Sequence, residues 1–87
     1  MNARPTPSTE DDSFARVLVE EADCFDDWRD AAAAAAEAYR RWTEAPSDLR
    51  ADRYRAYTVA LELEESAAVL YAVAVARVAR RLEGDTR

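Results

Sequence analysis

Hydrophobic residues in the second half of the chain follow two stripes. Within residues 48–82, the first stripe advances in alternating steps of three and four, as in the seam of a left-handed helix pair, and Glu64 alone interrupts it: Tyr54, Tyr57, Leu61, Ala68, Tyr71, Val75, Val78 and Leu82. The second stripe follows the same steps on an adjacent side: Ala56, Ala60, Leu63, Ala67, Leu70 and Ala74. Because one partner helix cannot cover both stripes, the pattern predicts a long helix inside a bundle.

The first half of the chain carries one stripe that keeps its register throughout: Phe14, Leu18, Glu21, Phe25, Trp28, Ala32, Ala35, Tyr39 and Trp42. Pro46 disfavours helical geometry at the residue before it, Ser47 or Asp48 can cap a second helix, and Gly84 is suited to ending it. We therefore predict a disordered tail at 1–8, a helical hairpin at 9–83 and a C-terminal tail at 84–87. Within the hairpin, helix one spans about 10–44, the turn 45–48 and helix two about 49–82.

These elements predict an all-α fold, an antiparallel two-helix hairpin of long helices, because short connections place successive helices side by side. Folding the chain symmetrically about Pro46 places Trp42 opposite Arg50 and Phe25 opposite Ala68. The large side chains of the two seams form the expected hairpin core: Phe14, Leu18, Phe25, Trp28, Tyr39, Trp42, Tyr57, Leu61, Tyr71, Val75 and Val78.

Two carboxylates interrupt the predicted seams. In the symmetric register, Glu21 lies opposite Tyr71 and Glu64 lies opposite Trp28, and each partner carries a hydrogen-bond donor. A buried carboxylate needs such a donor. Either these pairs fix the register of the hairpin, or the two long side chains reach solvent at the edge of the seam.

A single hairpin leaves the second stripe of helix two uncovered, together with Val17, Cys24, Ala31 and Ala38 of helix one. An apolar strip of this length exceeds what monomeric proteins usually expose. We expect a homodimer or larger oligomer, an antiparallel four-helix bundle, whose interface uses this strip: Ala56, Val59, Leu63, Ala67, Leu70, Val73 and Ala74. The alternative is that a different protein binds there.

Composition excludes several classes of function. The 87 residues form one small domain with a net charge of −6, and the basic residues, all of them Arg, form no cluster suited to nucleic acid or an anionic membrane. The apolar run that ends at Arg77 is too short to cross a bilayer, and the N-terminus lacks a secretory pattern, so we expect a cytoplasmic protein. With no His and one Gly, we expect no enzyme and no cofactor.

Charged residues mark two regions of the expected rod. An acidic belt falls at its middle: Asp23, Asp26, Asp27, Asp30, Glu62 and Glu65. This belt is either a solvated surface, a docking site for a basic protein segment, or a carboxylate metal site that would lack nitrogen ligands. The end of the rod at the turn, which we call the Arg-aromatic tip, combines aromatic rings with Arg residues: Tyr39, Trp42, Tyr54, Tyr57, Arg40, Arg41, Arg50, Arg53 and Arg55. These residues either pack against one another as part of the fold or form a second binding site for a protein partner.

The sequence Trp42-Thr43-Glu44 before the turn, in a two-helix chain of under a hundred residues, loosely resembles the secreted hairpins of the WXG100 family. That resemblance implies dimerisation as a four-helix bundle and export. The chain departs from the family at Glu44, where the family has Gly, and it lacks the Tyr-x-x-x-Asp/Glu export signal after helix two.

The sequence therefore predicts a non-enzymatic interaction or regulatory module that works as a homo-oligomeric helical bundle, with no assigned catalytic or metal-binding residue. Two alternatives remain open at this point. One is a bundle that binds a metal ion through carboxylates, and the other is a WXG100-like secreted hairpin.

Overall fold

The chain folds into two long helices in a computed structural model that describes the backbone of residues 9–85 and the side chains of residues 13–84. Helix α1 spans Thr9–Thr43 and helix α2 spans Arg50–Asp85, and no strand occurs within the described residues. The predicted all-α hairpin of two helices is confirmed, while its dimerisation into a four-helix bundle stays a prediction. The predicted tail at 1–8 lies outside the described residues.

Backbone hydrogen bonds hold the connection between the helices. The amide of Glu44 donates to the carbonyl of Arg40 at 3.0 Å, and the amide of Leu49 donates to the carbonyl of Pro46 at 3.0 Å. The carbonyl of Leu49 accepts the bond from the Arg53 amide at 3.0 Å, so α2 begins directly after Leu49. Leu49 therefore occupies the cap position, and the expected cap at Ser47 or Asp48 is wrong, because these residues lie three and two positions before the first residue of α2.

The far end of α2 also differs from the expectation. The helix continues through Gly84 to Asp85, and no described glycine has a positive φ. Gly84 is therefore not the left-handed residue that commonly follows a helix, and the predicted stop there is wrong.

The contact between the two helices is a narrow seam of small side chains. Ala35 on α1 and Ala74 on α2 are the only fully enclosed hydrophobic residues among those described, each with 4% of its surface exposed. Half-buried residues continue the seam on α1 at alternating steps of four and three: Val17, Glu21, Cys24, Trp28, Ala31, Ala38 and Trp42. On α2 they are Tyr57, Ala60, Glu64, Ala67, Tyr71, Val78 and Arg81. The seam therefore takes residues from both predicted stripes of α2.

The position of the seam changes several predicted roles. Leu18, Tyr39 and Val75, predicted in the hairpin core, are exposed at 42%, 49% and 42%. Ala74, predicted in a dimer interface, is buried inside the hairpin. Residues predicted to lie outside the hairpin are instead half-buried: Val17, Cys24, Ala31 and Ala38. The physical reason is that alanines allow the two backbones to approach closely, so the helices turn their small residues toward each other and leave larger ones beside the seam.

The helices pair about one turn away from the symmetric register. Trp42 contacts Tyr54, with ring centroids 5.0 Å apart, where the symmetric fold predicts Arg50. The same displacement applies to the other aromatic contacts: Tyr39 with Tyr57, Phe25 with Tyr71, and Trp28 with Tyr71. The crossing between helices is made by the turn at 46–49, after α1 has ended, and so it is not centred on Pro46.

Candidate functional site

The seam divides the remaining surface of the hairpin into two lateral faces. The first, which we call the broad apolar face, has apolar walls on both helices, formed by residues seven positions apart in each helix and therefore on the same side. Its large side chains are Leu18, Phe25 and Tyr39 on α1 and Tyr54, Leu61, Val75 and Leu82 on α2, and all except Phe25 and Leu61 are exposed.

Two depressions interrupt the broad apolar face. One of about 460 Å³ lies where Ala32 and Ala36 of α1 meet Tyr39 and Leu61. Another of about 330 Å³ lies toward the open end of the hairpin and is lined by Val75, Val78 and Leu82. Small residues thus create concave spaces beside large exposed ones, the arrangement that allows side chains of a second surface to interdigitate.

The second lateral face, which we call the mixed face, has walls of different chemistry. Its apolar wall lies on α2 and consists of Val59, Leu63, Leu70 and Val73; its acidic wall lies on α1 and consists of Glu20, Asp23, Asp27 and Asp30. A depression of about 290 Å³ joins the two walls and is lined by Glu20, Asp23, Cys24, Leu70, Val73, Ala74 and Arg77. Carboxylates and exposed aliphatic side chains therefore border the same groove.

The apolar wall of the mixed face is the main part of the strip predicted as a dimer interface. Leu63 and Leu70 are each 62% exposed, and Val59, Val73 and Ala56 are also exposed, whereas Ala67 is half-buried and Ala74 is buried in the seam. The strip is therefore open to a partner along most of its length. Its use in dimerisation stays a prediction.

The predicted acidic belt is divided between different sides of the hairpin. Asp27 lies with Asp23 and Asp30 on the mixed face, whereas Glu62 is nine residues before Tyr71 and points about 180° away from the seam. At 100° of rotation per residue, counted from the seam residues of each helix, Asp26 also points outward. By the same count, Glu65 lies on the flank of α2 opposite to that of Leu70. Among the described residues, no group of three or more Asp, Glu or Cys comes together as a metal site requires, so the metal-binding alternative gains no geometric support.

Four aromatic rings pack against one another at the tip of the hairpin. Trp42 stacks on Tyr57 with centroids 5.6 Å apart and also contacts Tyr39 and Tyr54. Tyr39 contacts Tyr57 edge-on with centroids 5.4 Å apart. Aromatic pairs of this kind stabilise by roughly 0.5–1.5 kcal/mol beyond the area that they bury. The cluster joins the two helices at the turn, where the alanine seam has ended.

Three of the five Arg residues of the tip, Arg40, Arg41 and Arg55, pair with carboxylates. Arg40 donates to Glu37 and to Glu44, each at 2.9 Å, and Arg41 donates to Glu37 at 3.3 Å. The hydrogen bond from Arg40 holds the pKa of the Glu37 carboxyl below its ordinary value, and the same bond raises the pKa of Arg40. The two cation–π contacts found among the described residues lie elsewhere, with Arg29 over Phe25 and Arg81 over Phe14.

Of the two predicted pairs between a carboxylate and a hydrogen-bond donor, Glu21 with Tyr71 forms and Glu64 with Trp28 does not. Desolvation raises the pKa of the Tyr71 hydroxyl, and the negative charge of Glu21 and a hydrogen bond to it raise that pKa further, so Glu21 and Tyr71 are neighbours as expected. Trp28 instead stacks on Tyr71, with centroids 5.8 Å apart, and makes no hydrogen bond to Glu64 among the described residues. The displaced register is the reason, because it moves Trp28 about one turn past Glu64, where its ring reaches that of Tyr71.

Sequence reasoning missed the broad apolar face as an open surface. It assigned Leu18, Tyr39, Leu61 and Val75 to the hairpin core, because their spacing is that of a seam. The available signal was the excess of apolar positions: two adjacent stripes on α2 and flanking apolar positions on α1 are more than a two-helix seam can cover.

No protein-family model matches the chain, and no curated protein or solved structure is significantly similar to it. The WXG100 resemblance therefore depends on Trp42 and the two-helix outline alone. Neither helix, within the described residues, is long and apolar enough to cross a membrane.

Proposed function

We propose that the chain is a non-enzymatic interaction or regulatory module that self-associates through its broad apolar face into an antiparallel four-helix bundle. One observation carries this proposal. The hairpin buries only Ala35 and Ala74 among its described hydrophobic residues, yet both helices leave large apolar side chains exposed on the same face. A folded chain with so small a core needs further burial to be stable.

The shape of the hairpin supports a second layer of helices. The Cα trace is 13 Å across its thinnest dimension, which is one layer of helices, whereas stable domains pack two layers around a core. From Tyr54 to Leu82 the broad apolar face extends for about 42 Å, and two helices side by side are about 20 Å wide. Covering it would bury roughly 800 Å² on each chain, or about 1,600 Å² in total, the size of a typical specific interface.

The positions of depressions and large side chains on the broad apolar face favour a second copy of the chain as its binding partner. One of its depressions is lined by alanines next to Tyr39, toward the turn, and the other by valines and Leu82 toward the open end. Large side chains stand at both ends of the face, with Tyr39 and Tyr54 near the turn and Leu18 and Leu82 near the open end. A two-fold axis near the middle of the face would place Tyr39 and Tyr54 of one copy against the depression lined by Val75, Val78 and Leu82 at the open end of the other.

The test is the solution mass of three single variants, measured by light scattering behind a sizing column over a dilution series. Val75→Glu places a charge on the broad apolar face, Leu70→Glu on the mixed face, and Val69→Glu on the outer surface of α2. We expect Val75→Glu to weaken the dimer by roughly 100-fold or more, since an unpaired charge buried in an interface costs about 3 kcal/mol. The other two variants should remain dimers.

Each possible outcome decides between interfaces. If Leu70→Glu dissociates the dimer and Val75→Glu does not, the interface is the strip predicted from sequence. A monomeric wild-type chain that keeps its helicity at about micromolar concentration would overturn self-association altogether. Leu82→Glu provides a second broad-face variant near the end of α2, where its effect on folding of the hairpin itself is smaller, and circular dichroism checks that the helices remain.

A further inference from the structure

The mixed face stays open when the broad apolar face is covered, because the two lie on opposite sides of the seam. A dimer formed through the broad apolar faces would therefore carry two mixed faces on its outside. This inference rests on the proposed function, since it names the partner of an interaction module, but it concerns a different surface.

Three of the four carboxylates of the acidic wall have no partner among the residues that the structure describes. Asp23, Asp27 and Asp30 make no ion pair or hydrogen bond from their side chains among the described residues, and Arg29, which lies between them in sequence, is placed over the Phe25 ring. Glu20 alone in this wall is paired, with Arg77 at 3.2 Å. The wall thus presents uncompensated negative charge over about seven residues of α1, from Asp23 to Asp30, or roughly 10 Å.

The apolar wall opposite has the dimensions of a helix-binding surface. Val59, Leu63, Leu70 and Val73 span about 21 Å along α2, which equals about four turns of a helix lying in the groove. The spacing also suits a helix, because apolar side chains that recur every three, four or seven residues meet matching positions on a partner helix. The depression between Asp23 and Leu70 shows that both walls can be touched by one bound element.

We propose that the mixed face binds a cationic amphipathic helix of another protein. The apolar stripe of that helix would cover Leu63 and Leu70, and Arg or Lys residues beside the stripe would pair with Asp23, Asp27 and Asp30. Charge complementarity selects this occupant, because an apolar helix without basic residues would desolvate the three carboxylates with nothing to compensate them. Both walls contribute, so neither charge alone nor apolar area alone defines the partner.

A second copy of this chain fits the mixed face less well. Two of the basic residues of α2 that lie near an apolar stripe are already engaged within the hairpin. Arg77 pairs with Glu20, and Arg81 donates to the Ser13 hydroxyl at 3.1 Å and lies over the Phe14 ring. Pairing them with the acidic wall of another copy would break these contacts first.

The experiment measures binding of a fluorescent 18-residue helical peptide whose Leu stripe is flanked by Arg, followed by anisotropy at about physiological salt. A control peptide keeps the Leu stripe and replaces every Arg with Glu. We expect the full-length protein to bind the cationic peptide and not the acidic one. Loss of affinity should be about tenfold for Asp27→Asn with Asp30→Asn, and about tenfold for Leu70→Ser.

Two controls distinguish specific binding at the mixed face from nonspecific electrostatic attraction of the cationic peptide to an acidic protein. Asp26→Asn removes a neighbouring charge that points away from the mixed face, and its affinity should stay within twofold of wild type. Bound peptide should also slow alkylation of Cys24, which lines the same depression and is the single cysteine of the chain. Equal effects of Asp26→Asn and the double variant, or no effect of Leu70→Ser, would overturn the proposal.

The result of the peptide-binding experiment does not depend on whether the proposed dimer forms. Val75→Glu should change the mass of the protein and leave peptide affinity per chain unchanged, so each proposal can fail alone. Absence of peptide binding, together with dissociation of the dimer by Leu70→Glu, would show that the mixed face is an interface between copies of this chain and would overturn the inference.

Discussion

The two lateral faces of the hairpin are built by the same pair of helices and yet differ in chemistry. On the broad apolar face, Leu18 and Tyr39 of α1 stand beside Val75 and Leu82 of α2. On the mixed face, α2 again presents aliphatic side chains, whereas α1 presents carboxylates. The difference comes from α1, which is apolar on one flank of the seam only, while α2 is apolar on both.

This comparison separates two kinds of association. A surface whose walls are both apolar gains from burial against a similar surface, and it is suited to a second copy of the chain. A surface with one charged wall carries a desolvation cost that only an oppositely charged partner offsets. One hairpin can therefore use one side to assemble and the other to select a partner.

The largest effect is expected when the difference between the faces is removed. Replacing Asp23, Asp27 and Asp30 by Ala makes both walls of the mixed face apolar, and a chain with two apolar faces can associate on both sides without closing. We expect assemblies larger than the wild-type dimer, with heavy species in light scattering at about 10 µM.

The matched control removes three charges elsewhere. The variant with Asp26→Ala, Asp48→Ala and Glu62→Ala has the same net charge and the same number of new alanines, but these positions lie outside the mixed face: Asp26 and Glu62 on the outer sides of the helices and Asp48 in the turn. It should keep the wild-type mass. If both triple variants form large species, reduced net charge explains the assembly, and the division into two faces does not.

A moderate effect is expected at the seam that separates the faces. Ala74→Leu inserts a large side chain where only 4% of the residue is exposed, so it should push the helices apart and lower the free energy of unfolding by roughly 1–3 kcal/mol. Urea denaturation followed by circular dichroism measures this loss. Ala76→Leu, on the exposed outer side of α2, should stay within about 0.5 kcal/mol of wild type. Similar losses in both variants would mean that the alanines do not set the helix separation.

The smallest effect distinguishes two neighbouring carboxylates that lie on different faces. Glu21 borders the broad apolar face beside Tyr71, and Glu20 borders the mixed face beside Arg77. We expect Glu21→Gln to lower the pKa of Tyr71, because it removes the negative charge that disfavours the phenolate, and desolvation alone would keep that pKa raised. Glu20→Gln should leave the pKa of Tyr71 unchanged. Carbon-13 NMR of labelled tyrosine rings follows this titration.

The contact between Glu21 and Tyr71 also predicts how the stability of the hairpin changes at high pH. A raised pKa in the folded state means that folding favours the protonated Tyr71 hydroxyl. The stability that this hydroxyl contributes is complete below its unfolded-state pKa of about 10. It is lost as pH rises through the folded-state pKa. Wild type should therefore lose more stability than Glu21→Gln above about pH 10, and an equal loss in both would contradict the assignment of Glu21 as the neighbouring charge.

Much of the fold follows from residues that can be read directly. Pro46 marks the break between helices, and the repeated steps of three and four on either side predict two long helices. The candidate surfaces were predicted less well. The strip containing Leu63 and Leu70 is open as expected, but the acidic belt is divided between sides, because placing Asp27 and Glu62 at one height says nothing about their directions around each helix.

By itself, the sequence determined that the chain forms two helices joined near Pro46, and that α2 has more apolar positions than one partner can cover. Only the tertiary structure decided the rotation and register of each helix, and with them which apolar residues remain exposed. The reason is physical. The two predicted stripes of α2 are offset by one residue, or about 100° of rotation. Where the seam falls between them depends on how side-chain volumes match across the contact, here the close approach that Ala35 and Ala74 permit.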